Sequence, residues 1–226
     1  MMRFQSLSAA LLLLGFQTAL ADGEQKDSKS ALESDPSGWI DLLTDADLKN
    51  WKRVSIPPKG KLSAKNPWSV SADGKTLNCD GVGIHEMLLW EKEVGEGIFH
   101  VEWRFKAIEG KKGYNSGVYV RNSADGAIWH QAQVGSKNVG YLFGKTLIDG
   151  KSVGIPNNKL KGEQRGKEAG EWNTFEISCK GKSISLWVNG AVTAVWDNCQ
   201  VEKGYLGMEA EGWYIEFKNV KFKELK

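Results

Sequence analysis

Phe99-His100-Val101-Glu102-Trp103-Arg104-Phe105-Lys106 alternates without a break between large apolar and polar side chains. Successive side chains of a strand point to opposite faces. The stretch therefore predicts a β-strand that buries Phe99, Val101, Trp103 and Phe105 and turns His100, Glu102, Arg104 and Lys106 away. Outward from it, shorter segments follow the same rule at 117–121, 128–134, 172–179, 183–188, 191–196, 204–210 and 213–220. The tight connections are Lys180-Gly181-Lys182 and Asn189-Gly190, and Asn-Gly between two apolar runs is a strong hairpin signal. No apolar period of 3.6 is sustained, and only 41–51 admits a short helix or turn. So many short strands exceed one flat sheet and imply two packed antiparallel sheets, an all-β sandwich or jelly roll. The stretch 144–170, rich in Gly, Lys and Asn, reads as a long functional loop or a mobile insertion.

The 226 residues suffice for a single domain with a sizeable core. Lys+Arg 30 against Asp+Glu 28 leaves a net charge of +2, too little basic surface for a nucleic-acid partner. Residues 1–21 combine Arg3, an apolar stretch from Leu7 to Phe16 and the small-residue pattern Ala19-Leu20-Ala21, which predicts a signal peptide cleaved after Ala21. The apolar run is short for a bilayer, so the expectation is a secreted or periplasmic protein without a transmembrane segment. Residues 22–37 are polar and read as a flexible leader, and 38–226 as one jelly-roll domain. Cys79, Cys179 and Cys199 allow at most one disulfide and are read as small buried residues. His85, His100 and His130 are widely spaced, no Cys-x-x-Cys occurs, and the P-loop-like Gly140 to Thr146 is one residue short. Neither a metal nor another cofactor is expected. A Glu-x-Asp-x-x-Glu run for two-carboxylate glycoside hydrolysis is missing as well.

Strand parity points to a surface with chemistry. Val118 and Val120 must face the core, because burying Arg121 there without a partner is costly, so Tyr119 and Arg121 share the outer face. Ile128, Ala132 and Val134 go inward and take His130 with them, leaving Trp129, Gln131 and Gln133 outward. Leu206, Met208 and Ala210 go inward, so Glu209 and Glu211 emerge together, and Trp187 emerges from its own strand. Trp51, Trp68, Trp103 and Trp172 are assigned to core packing. Hydrogen-bonding groups and flat aromatic surfaces on one concave sheet form a groove suited to a sugar.

Several segments carry a resemblance. Gly38-Trp39-Ile40-Asp41-Leu42-Leu43 with Leu48 and Trp51 comes first, followed by Trp68 through Gly74 and by Asn115-Ser116-Gly117-Val118-Tyr119-Val120-Arg121. Gly170-Glu171-Trp172-Asn173, Val188-Asn189-Gly190, Glu211-Gly212 and Ile215 through Val220 complete the order. Together they resemble the 3-keto-disaccharide hydrolase domain family (domain of unknown function 1080) over 38–225. The resemblance implies a concanavalin A-like jelly roll that cleaves 3-keto-glycosides or 3-keto-disaccharides, with an upstream sugar-oxidising oxidoreductase as a partner. A ketone at C3 acidifies the C2 hydrogen, and its removal expels the aglycone, after which water adds. Such a site needs a base, a group for the developing enolate and an acid for the leaving oxygen. The candidates are Arg121 for polarising the ketone and Glu209 or Glu211 as base or acid. Asn115 and Gln133 would orient hydroxyls, with Tyr119, Trp129, Gln131 and Trp187 against the substrate.

One departure bears on chemistry. The family commonly carries an aromatic residue, Glu, any residue, then Gln on the strand after the Arg, where this chain has His130-Gln131-Ala132-Gln133. The family's later Leu-Gln-x-(His or Glu)-Gly is here Met208-Glu209-Ala210-Glu211-Gly212. An amide cannot act as a proton-transfer base near neutral pH. Either the acid has moved to Glu209, or the chain is a non-catalytic carbohydrate-binding jelly roll that stacks sugars on Trp187 or Trp129.

Overall fold

The computed structural model describes residues 27–83, 85–137, 139–156 and 160–225; the expected signal peptide, 1–21, lies outside them. In chain order the elements are α1 (Ala31–Ser34), β1 (Ile40–Asp41), β2 (Trp51–Ser55), β3 (Trp68–Val70), β4 (Thr76–Cys79), β5 (Glu86–Trp90), β6 (Gly97–Phe105), β7 (Asn115–Asn122) and β8 (Trp129–Gly135). They continue with β9 (Leu142–Ile148), β10 (Lys151–Ile155), β11 (Asn173–Lys180), β12 (Ser183–Val188), β13 (Ala191–Trp196), β14 (Tyr205–Ala210) and β15 (Ile215–Glu224). One sheet runs β13-β12-β11-β6-β15-β4-β3, with β1 added on β15, and the other runs β10-β9-β8-β7-β14-β5-β2. Every pairing is antiparallel, which makes an all-β jelly-roll sandwich.

The quoted strand is β6, central in the first sheet, and its alternation fixes the layers. Phe99, Val101, Trp103 and Phe105 lie in one buried cluster with Val118, Val120, Ala132, Val134, Leu206, Met208 and Ala210 of the facing sheet. Each large apolar side chain so buried contributes about 1.5–3 kcal/mol. The three cysteines are free and buried, as small apolar residues are.

Four expectations are corrected. Residues 27–37 are docked along the first sheet: Ser28 N–H donates to Gly190 O at 2.7 Å. Ser30 and Glu33 close a capping box on α1, and Ala31 N–H and Leu32 N–H donate to the Glu176 carboxylate at 2.5 and 3.0 Å. A buried carboxylate, not apolar area, holds this polar segment. Within 144–170, the hairpin β9–β10 continues the second sheet, with Lys151 opposite Ile148 across an Asp149-Gly150 turn of positive φ. Trp172 is half-buried between the cations Arg104 and Lys218, 4.6 and 4.1 Å from its ring, where cation–π attraction replaces core packing. Finally, Arg121 is not on the outer face, as described next.

Candidate functional site

The outer face of the second sheet holds a hollow of about 360 Å³, lined by side chains of β5, β7, β8, β9 and β14 and of the segments before β5 and after β2. Its floor follows from register. Gly117 lies opposite Gln133, and a Cβ on Gly117 would stand 2.3 Å from Gln131 Nε2 and 2.6 Å from its Cδ. The missing side chain is what lets Gln131 lie across the strand and donate to Glu209 Oε2 at 2.9 Å.

Glu209 is the centre of the arrangement and is only 3% exposed. Its Oε1 accepts the Tyr119 hydroxyl at 2.6 Å and lies 2.6 Å from His85 Nε2. Burial and the Glu209 charge hold the Tyr119 hydroxyl well above its ordinary pKa, so it stays a donor. Three donors thus fix one carboxylate, which in turn orients the imidazole. The His85 backbone is pinned on both sides: its carbonyl accepts Ile56 N–H at 3.0 Å, and neighbouring Glu86, fully buried, takes a bidentate pair of 2.7 Å bonds from Arg53. Hydrogen bonding to Glu209 raises the His85 pKa by more than its partial burial lowers it.

Glu211 emerges beside this pair, with Oε2 4.0 Å from His85 Nε2. Burial raises its pKa first and the Glu209 charge adds to it, against the opposing pull of His85. Gln133 Nε2 donates to Asn115 Oδ1 at 2.6 Å, which locks the two amides side by side at the same end of the hollow. Among the described residues, His85, Glu209 and Glu211 are the cluster whose potential ligand atoms lie within 4.8 Å of one another. A nitrogen and an oxygen bound to one divalent ion at about 2.0–2.2 Å each stand wider apart than the 2.6 Å between His85 and Glu209, so as it stands the pair shares a proton.

The structure brings together Asn115, Tyr119, Trp129, Gln131, Gln133, Glu209 and Glu211. Two expected residues are elsewhere. Between the pairs Tyr119 opposite Gly207 and Asn122 opposite Tyr205, β7 carries two residues against one of β14. This bulge, with Arg121 at φ 52°, reverses the parity and sends the guanidinium between the sheets. There Arg121 is 1% exposed and its Nη1 donates to Gly181 O at 2.9 Å. Arg121 therefore cannot reach the hollow. Trp187 faces outward as parity requires, but on the other sheet, where its Nε1 donates to Ser28 Oγ at 2.9 Å. Sequence reasoning missed His85, because β5 beside it is buried on both faces and shows no alternation. The one available signal was that His85 has the parity of Met87, which also lines the hollow.

The comparisons agree with this fold. The model of the 3-keto-alpha-glucoside-1,2-lyase-like domain matches residues 38–223, and the chain belongs to that family of carbohydrate-active proteins. Among curated proteins nothing matches the sequence. A glycosyl hydrolase candidate from Parabacteroides distasonis superposes with TM-score 0.57 at 18% identity, covering 83% of this chain and 99% of the other. A Bacillus licheniformis β-glucanase gives 0.56 at 12%, covering 84% and 100%. The carbohydrate-binding module CBM66 of Bacillus subtilis gives 0.55 at 13%, covering 77% and 96%. At these identities the likeness is one of fold. Where the resemblance implies a Glu and then a Gln, this chain has Gln131 and Glu209, and one hydrogen bond joins the two side chains.

Proposed function

We propose that the protein is an exported enzyme that cleaves 3-keto-glycosides by removing the C2 proton next to the ketone and expelling the aglycone. The observation that carries this reading is the Gln131–Glu209 bond: the carboxylate absent at position 131 stands 2.9 Å away at position 209 and bears directly on His85. Glu209 is spent on its three donors, so Glu211 is the base and the His85 imidazolium, held by Glu209, is the acid.

Glu211 takes the C2 proton, and the electron pair moves into the C2–C3 bond as the ketone becomes an enolate. The enolate then collapses, the C1–C2 double bond forms, and the C1–oxygen bond breaks. His85 gives its proton to the departing oxygen, so the products are an unsaturated keto-sugar and a neutral alcohol. Water adding at C1 completes a net hydrolysis. The proton on Glu211 returns to His85 across the 4.0 Å between them. Asn115, whose Oδ1 accepts from Gln133 Nε2 at 2.6 Å and whose Nδ2 is thereby turned away from it, replaces Arg121 as the group that holds the C3 oxygen. The ketone must be installed beforehand, which requires an upstream sugar-oxidising oxidoreductase.

The test is release of 4-nitrophenol from 4-nitrophenyl 3-keto-α-glucoside. Glu211→Gln is expected to lower turnover by about 10²-fold or more with thermal stability nearly unchanged. Undiminished release by that variant would refute the assignment, and tight binding without release by the wild type would favour the lectin-like alternative.

A further inference from the structure

Along the hollow, four neighbouring strands change character in the same direction. The register aligns His85 of the segment before β5, Glu211 after β14 and Asn115 of β7 at one end. The next level holds Met87 opposite Glu209 and Gly117 opposite Gln133. Beyond it come Leu89 opposite Gly207, Tyr119 opposite Gln131 and Phe143 opposite Gln131, and β8 ends on Trp129. Read along β8, the outward side chains run from Gln133 through Gln131 to Trp129.

The polar tips at the far end are already spent, since the Tyr119 hydroxyl and the Gln131 amide both donate to Glu209. What remains there is mostly ring and hydrocarbon, with the Trp129 indole N–H and the Gln131 amide oxygen as the polar atoms on the wall. Trp129 meets Phe143 edge-on at 5.4 Å and 90°, and Tyr119 at 6.4 Å and 88°. Val54, Met87, Leu89 and Tyr119 form a separate apolar cluster beneath, against which Ile56, Trp129 and Tyr205 pack. The Gly126 turn closes over it, so near that a Cβ there would meet the Met87 sulfur and a Val54 methyl at 3.3 Å.

Resting on the elimination reading for the position of the sugar, we infer that this far end is an aglycone subsite for an aromatic ring, so that the preferred substrates are aryl glycosides and not disaccharides. The 3-keto ring needs the amides and carboxylates and takes the polar end, which directs its C1 substituent toward Trp129, Phe143 and Met87. A second hexose there would bring several hydroxyls to a wall that offers them only the Trp129 N–H and the Gln131 amide oxygen, and hydroxyls buried without partners oppose binding. A flat arene loses nothing by desolvation and gains stacking and edge contacts.

The decisive measurement is the affinity of the full-length mature protein for three unoxidised ligands: 4-nitrophenyl α-glucoside, methyl α-glucoside and maltose. The aryl glucoside should bind at least about tenfold more tightly than either of the others, and Phe143→Ala should remove most of that preference. Trp129→Leu, on the same wall, serves as a second variant should Phe143→Ala not fold, with the same direction of effect. An aryl preference below about threefold, maltose matching the aryl glucoside, or a preference that survives both variants would overturn the subsite. Release of 4-nitrophenol from the 3-keto substrate is scored separately: an aryl preference without release leaves the subsite standing and removes the elimination reading.

Discussion

Glu209 is a carboxylate with no freedom: one oxygen serves Tyr119 and His85 and the other serves Gln131. Its role is to hold and charge the imidazole, so Glu209→Gln should lower turnover by about 10²-fold and bring the His85 pKa down toward its ordinary 6.5. An NMR titration of the His85 ring checks the second effect, which a merely structural role would not produce. The active form has Glu211 ionised and His85 protonated. Both groups have raised pKa values, so the rate should rise as pH climbs through that of Glu211 and fall as it passes that of His85. The bell belongs to the coupled pair, and its alkaline limb should shift to lower pH in Glu209→Gln. Arg121 predicts the opposite pattern. Its guanidinium is buried with Nε and Nη2 unpartnered among the described residues. Arg121→Ala should therefore change stability by about 1–3 kcal/mol while kcat/KM stays within about threefold, as chemical denaturation and steady-state kinetics would show.

At the scale of the strand, much of the site was legible because β7, β8 and β14 alternate cleanly. Burying Val118, Ala132, Val134 and Met208 forces Tyr119, Gln131, Gln133 and Glu209 to the other face. Parity holds only while register does, and the bulge opposite Leu206 undid it for Arg121. Nor does parity say to which sheet an outward face belongs, so Trp187 was grouped with residues of the opposite sheet. His85 was hidden by its neighbour β5, whose apolar run is buried throughout. Gly117 shows how a missing side chain organises a site: in Gly117→Ala the new methyl displaces Gln131 from Glu209, and turnover should fall by about tenfold. A normal rate in that variant would mean that the Gln131 contact is idle. The docked segment 27–37 was illegible from composition because it is held by Glu176 and His100. The His100 Nδ1 lies 2.9 Å from Glu176. Burial pulls the His100 pKa down, but Glu102 and Glu176 outweigh it and leave it above 6.5. A raised histidine pKa stabilises fully below 6.5 and ceases to do so as pH rises through the raised value. Limited proteolysis of residues 27–37 should accordingly speed up on the alkaline side, and in Glu176→Gln it should be fast at every pH.

Taken whole, the molecule separates its duties between two sheets. The first carries the quoted β6 at its centre and the docked N-terminal segment on its outside, and the second carries the hollow. The chemical groups come from positions 85, 115, 133, 209 and 211, far apart in sequence and joined only when β5, β14, β7 and β8 pair. The site therefore exists only in the folded sandwich. Elimination and simple displacement at C1 would release the same alcohol, but only elimination breaks the C2–H bond. The most direct measurement compares 4-nitrophenyl 3-keto-α-glucoside carrying hydrogen or deuterium at C2, under conditions where chemistry limits the rate. A primary isotope effect on 4-nitrophenol release, together with an unsaturated keto-sugar among the products, is the expected result. Equal rates for the two substrates, with no exchange of the C2 hydrogen into solvent, would contradict it.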